Sequence, residues 1–164
     1  MDDLCPGDLI LSYENSFFSW FVRLMTKSEW SHVGIYEENG TFISSVPFSG
    51  VCEKCLKDVN HYAVYRVKGL SKLQADKAVE FCKERLGKGY DFLQIILLGY
   101  RLLTDKLDVN AGDPHPDQYV CSELISEAFA SVGIHFGKIV DNALPKAFAE
   151  SDLVTEILVA KKRR

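Results

Sequence analysis

The hydrophobic and polar positions change period several times along the chain. Leu9-Ile10-Leu11 follows the turn signal Cys5-Pro6-Gly7-Asp8 and reads as a short buried strand. Phe17, Phe18, Trp20, Phe21, Leu24 and Met25 then recur at helical spacing behind Asn15 and Ser16, both able to cap, which predicts a helix over 17–25. The period shortens to two in Ser31-His32-Val33-Gly34-Ile35-Tyr36 and continues in Thr41-Phe42-Ile43-Ser44-Ser45, with Glu38-Asn39-Gly40 between them. An Asn-Gly pair between two alternating runs signals a hairpin, so His32 and Ser44 are expected on paired antiparallel strands.

Ala63-Val64-Tyr65-Arg66-Val67 predicts another strand. Ser71 and Gln74 have the spacing of a capping box for a helix whose apolar side carries Leu73, Ala78, Val79, Cys82 and Leu86 and which stops at Gly87. A further helix is predicted over 91–103, followed by an Asp-, Pro- and Gly-rich loop from Thr104 to Gln118. Behind that loop, Leu124, Ile125, Ala128, Phe129 and Val132 share one helical face ended by Gly133, which puts Cys121 in the first turn. A turn of helix at Pro145-Lys146-Ala147-Phe148 and a strand over 153–159 complete the chain. Strands, then helices, then a strand make an α+β fold, expected as one domain over 1–164.

Composition narrows the classes. A chain of 164 residues with 47% hydrophobic and 26% charged positions has material for an ordinary core and needs no disulfide or metal to hold it. Nineteen Lys and Arg against 23 Asp and Glu leave a net charge of −4, which argues against sequence-independent binding of nucleic acid. The basic tail Lys161, Lys162, Arg163, Arg164 reads as a solvated end. Five cysteines behind an acidic Met-Asp-Asp start, with no secretory pattern, suggest free thiols and a cytoplasmic location. No window is apolar for long enough to span a membrane: Phe92 to Leu103 is interrupted by Gln94, Gly99 and Arg101.

The candidate chemistry centres on Cys121. In the first turn of a helix, unpaired N–H groups and the macrodipole favour a thiolate, so a pKa lowered toward neutrality is expected, and the same N–H groups can bind an oxyanion. His32, on a strand with Gly34 beside it, is the candidate base, since an imidazole can take the thiol proton and return it to a leaving group. Asp8 is read as a turn residue bonded to local backbone, and Tyr90 and Asp91 as the structural opening of a helix. His115, between Pro114 and Pro116 just ahead of Cys121, is an outside candidate for a lid over the cleft.

Pro6-Gly7-Asp8-Leu9-Ile10-Leu11, Ser31-His32-Val33-Gly34-Ile35-Tyr36, Gly50-Val51, Gly89-Tyr90-Asp91-Phe92 and Tyr119-Val120-Cys121-Ser122-Glu123-Leu124-Ile125 occur in an order that resembles the circularly permuted NlpC/P60 group of papain-like thiol enzymes, in its YiiX-like branch. The resemblance implies a papain-like α+β fold, an antiparallel sheet or small barrel packed against helices. It also implies Cys121 as nucleophile, His32 as base, and Ser44 at the place where the family commonly carries a Glu that orients the imidazole. The implied activity is cysteine-dependent hydrolysis or acyl transfer at an amide or (thio)ester of a peptide or lipid-like substrate, through an acyl-thiol intermediate and with no cofactor.

Two rival readings come from other classes. Cys52-Glu53-Lys54-Cys55, with His61 following, has the spacing of half a zinc site, but a second ligand pair is missing, so no metal is expected. The same fold without chemistry would be a lipid- or peptide-binding module.

Overall fold

The computed structural model describes residues 3–13, 16–91, 117–136 and 144–161. The elements are β1 (Leu9–Tyr13), α1 (Phe17–Thr26), β2 (His32–Tyr36), β3 (Thr41–Val46), β4 (Gly50–Cys55), a 3₁₀ turn (Leu56–Asp58), β5 (His61–Val67), α2 (Lys72–Lys83), β6 (Gly89–Tyr90), β7 (Gln118–Tyr119), α3 (Cys121–Ala130), α4 (Pro145–Ala149) and β8 (Val154–Lys161). Six strands form one antiparallel sheet in the order β4-β3-β2-β1-β5-β8. The fold is α+β, as expected, and β6 and β7 add a short parallel pair beside it. No helix among the described residues is long and apolar enough to cross a membrane.

Local chemistry accounts for the element ends. The Ser16 hydroxyl accepts from the Ser19 N–H at the start of α1, and Ser71 with Gln74 closes the predicted capping box at the start of α2. Asn39 and Gly40 both have positive φ, as the tight turn between β2 and β3 demands. The helix predicted to reach Gly87 ends instead at Lys83, and turns carry the chain to Gly87 at positive φ. The helix predicted over 91–103 lies outside the described residues except for Asp91, as does most of the loop over 104–118.

Alternation divides the sheet into two faces. Leu9, Leu11, Val33, Ile35, Ile43, Val51 and Ala63 pack under α2 and α3, with Phe129, Phe136 and Phe148 in successive ring contacts. Ile10, Tyr36, Phe42, Leu56, Tyr62 and Val64 form a smaller core on the other face. Asp8 fills its expected role, accepting from the Cys5 N–H at 2.8 Å, and also receives two hydrogen bonds from Arg66 at 2.8 and 2.7 Å. That fork ties the entry of β1 to β5, and the buried carboxylate raises the Arg66 pKa. No local sequence signal links residues 58 positions apart.

Candidate active site

The site forms where α3 meets the opening between β2 and β3. The β2–β3 ladder pairs Ile35 with Ile43 and Tyr36 with Phe42. One step further, side chains occupy the groups of Val33 that would continue it. The Ser44 hydroxyl donates to the Val33 carbonyl at 2.7 Å, and the Val33 N–H lies near enough to the Cys121 sulfur to favour its thiolate. The two strands splay there, and the first residue of α3 is wedged into the gap. Cys121 thus docks one peptide bond from His32, which begins β2.

Burial and the amides act on the thiol in opposite directions. The Val33, Ser122 and Cys121 N–H groups direct their dipoles at the sulfur and favour a thiolate. Cys121 is only 5% exposed, however, and desolvation outweighs those amides and pushes the thiol up to about 11. The helix terminus is present as expected, whereas the pKa moves away from neutrality. The spacing that reveals a helix start does not reveal how dry it will be.

Three contacts hold α3 in this position. The Ser45 hydroxyl donates to the Tyr119 carbonyl at 2.6 Å, and Tyr119 pairs with Tyr90 across the β6–β7 ladder. Tyr90 is buried close enough to Cys121 that negative charge on the sulfur adds to desolvation in raising the phenol pKa, so the phenol stays protonated. The third contact comes from Gly50, whose φ of 67° suits a residue without a Cβ. A side chain there would run into the Lys88 carbonyl, which accepts from the Val51 N–H at 2.8 Å. Gly50-Val51 and Gly89-Tyr90 are therefore two sides of one close backbone approach.

The segment carrying His32 is fixed residue by residue. The Ser31 N–H donates to the Ser12 carbonyl at 3.1 Å, and its hydroxyl lies 2.6 Å from that of Ser19. Trp30 stacks on His61 with centroids 5.4 Å apart, and His61 Nε2 lies 3.1 Å from Glu29 Oε1. In the sequence His61 stands only as a candidate metal ligand behind Cys52-Glu53-Lys54-Cys55. Its pairing with Glu29 links β5 to the approach to β2, and neither residue announces it locally. The space left by Gly34 is taken by the Phe42 ring and the Ile43 carbonyl, so it admits the neighbouring strand rather than a substrate.

Cys52 and Cys55 lie on edge strand β4. Among the described residues no three His, Cys, Asp or Glu side chains are grouped to hold a metal ion. His115 lies outside the described residues.

Cys121 at the start of α3 and His32 at the start of β2 thus come to neighbouring positions, the histidine preceding the cysteine in sequence. A family model described as a permuted papain-like amidase enzyme, YaeF/YiiX, C92 family, matches residues 3–152. The chain belongs to this family. It is 24% identical over 157 residues to a protein of Escherichia coli K12 named probable lipoprotein peptidase YaeF, a match that takes in 80% of this chain and 57% of that protein. The chain thus spans little more than half of that relative's length. The crystal structure of the metalloprotein YiiX from Escherichia coli O157:H7 superposes with a TM-score of 0.71 at 21% identity, covering 96% of this chain and 98% of that one. This likeness establishes the papain-like fold.

Proposed function

We propose that the protein opens an amide bond by acyl transfer to Cys121, with His32 as general base. The observation that carries this reading is the placement of Cys121 as the first residue of α3 with its sulfur near the Val33 backbone, next to His32. Because the thiol pKa is about 11, the resting centre holds a neutral thiol. The imidazole then takes the thiol proton as the sulfur attacks the carbonyl carbon. The carbonyl π bond becomes an oxyanion, to which the helix-terminal N–H groups and the protonated Tyr90 phenol are available donors. Collapse breaks the C–N bond, the imidazolium returns its proton to the departing amine, and an acyl-thiol remains. Water, deprotonated by the same imidazole, releases the acid and restores the thiol. Ser44 serves as a positioning residue in this scheme: its bond to the Val33 carbonyl holds open the strand position that receives Cys121.

The test is turnover of a panel of N-acyl amides and thioesters by the wild type, Cys121→Ala and His32→Ala, with acid-quenched mass spectrometry for an acyl adduct. Cys121→Ala should fold normally, lose all turnover and carry no adduct. His32→Ala should slow turnover by about 10² to 10⁴, the usual size of a general-base contribution. An adduct on another residue, or full activity without Cys121, would overturn the mechanism.

A further inference from the structure

Among the described residues β8 is an edge of the six-stranded sheet, and its middle is apolar. Ile157, Leu158 and Val159 are 42%, 39% and 52% exposed, with Leu158 on the smaller-core face opposite Val64 and Val159 on the helix face opposite Ala63. Chains that stay single blunt such an edge with lysine or proline. Here the one charge beside that run is Glu156, whose carboxylate accepts from the Tyr65 hydroxyl at 2.7 Å.

The ladder shows which backbone groups of β8 look outward. The Tyr36 N–H donates to the Asp8 carbonyl at 2.7 Å, so by alternation Ile10 and Ser12 bond toward β2, and Leu9, Leu11 and Tyr13 toward β5. Their partners Tyr65, Ala63 and His61 spend their N–H and C=O groups on β1, and the β8 residues opposite those, Glu156, Val159 and Lys161, direct theirs away from β5. Val154, opposite Val67, continues the series, and the bond from the Lys68 N–H to the Leu153 carbonyl at 2.8 Å agrees with it. Ile157 is the extra residue of a bulge in the middle. The outward positions are therefore 154, 156, 159 and 161, and their spacing of two, three and two reads the same in both directions.

We infer that the chain forms a two-fold dimer in which β8 pairs antiparallel with β8 of a second copy. An axis through the bulge sets Glu156 of each copy opposite Val159 of the other, Val154 opposite Lys161, and Ile157 against Leu158, so every outward position meets another. The Val154 N–H turns back on the Ser151 carbonyl at 3.2 Å, so that residue offers its carbonyl alone. A regular strand, whose outward groups recur every two residues, matches only half of this edge. Charge agrees with the two-fold: Glu150, Asp152 and Glu156 lie at or before the start of β8, and Lys161-Lys162-Arg163-Arg164 stand at its end in the sequence, so an antiparallel copy sets acidic start against basic end twice. The inference is independent of the amidase reading.

The test is sedimentation equilibrium of the full chain from about 1 to about 300 µM. The wild type should pass from the chain mass to twice that mass and stop there, because the pairing uses up the edge. Ile157→Lys, which changes an exposed side chain and sets two lysines at the axis, should weaken the dimer about 10-fold or more. Two substitutions at exposed Val159 read the register: a lysine there faces Glu156 of the second copy and a glutamate faces a like charge, so Val159→Glu should dimerise about 10-fold more weakly than Val159→Lys. Amide exchange followed by NMR needs no substitution: the Glu156 and Val159 N–H groups should exchange more slowly as protein concentration rises, while that of Ala160, bonded to β5 in both states, stays constant. A monomer throughout, growth beyond the dimer, equal dimerisation of the two Val159 variants, or exchange at Glu156 and Val159 that ignores concentration overturns the inference.

Discussion

Alkylation of Cys121 should reveal a neutral resting thiol. With the pKa at about 11, about one sulfur in 10⁴ is ionised at pH 7, against about 3 in 100 for an unperturbed cysteine near 8.5. The loss of thiolate alone therefore slows reaction at neutrality about 300-fold, and burial slows it further by limiting access. The assay is timed iodoacetamide labelling from pH 6 to pH 11, with modified cysteines located by peptide mass in the wild type and in His32→Ala. Exposed Cys5 should label first. The Cys121 rate should climb about tenfold per pH unit to the alkaline limit with no plateau near neutrality, and His32→Ala should leave that profile in place while lowering turnover. A plateau with an apparent pKa at or below 8 that rises in His32→Ala would refute the reasoning, because it would mean a preformed thiolate–imidazolium pair.

Further predictions follow from the same contacts. Gly50→Ala must leave its positive φ or displace Lys88, losing two backbone hydrogen bonds; it should cost about 3 kcal/mol in urea unfolding and lower turnover by shifting Tyr90. Ser44→Ala should cost about 1 kcal/mol, with a fall in kcat at unchanged pH profile as the sign that it acts through strand position. Asp8→Asn breaks a fork between a buried carboxylate and a partly exposed guanidinium and should cost about 2 kcal/mol in urea unfolding while leaving kcat alone. Burial raises the pKa of both Cys121 and Cys82, the latter to about 12. Folded thiols that hold their protons more tightly than unfolded ones contribute stability that is complete below pH 9 and lost as pH rises through 11. The urea midpoint should therefore fall over that window, and Cys82→Ala should reduce the fall.

What was legible in the sequence depended on range. Period and capping located α1, α2, α3 and the β2–β3 hairpin because those signals act over three or four residues. β4 carries no clear strand signal because Gly50-Val51-Cys52-Glu53-Lys54-Cys55 lacks the apolar–polar alternation of a half-buried strand and has polar residues on both faces of an edge. The β6–β7 pair is two residues long and joins positions almost 30 apart, so no local pattern carries it. The same limit applied at the site. Cys121 and His32 were recognisable as candidates, but the splay that brings α3 to Val33 depends on hydrogen bonds among Ser44, Ser45 and Tyr119 that form only in the folded chain.

The splay also bears on how a serine at position 44 fits the proposed mechanism. A charged residue beside the imidazole stabilises imidazolium, which is useful when thiolate and imidazolium coexist at rest. Here the groups that shift the thiol are burial, which raises its pKa, and three backbone amides, which lower it, and burial prevails. A centre that rests neutral needs its proton acceptor only while the sulfur attacks, and the charge it then develops lies near the helix terminus rather than on β3. A buried carboxylate at position 44 would lose the donor that now holds the Val33 carbonyl and would carry a charge at a site 1% exposed. Ser44→Glu should therefore close or distort the β2–β3 opening rather than accelerate turnover. A faster enzyme with an acidified thiol in that variant would show that the missing charge, and not the geometry of the gap, limits this centre.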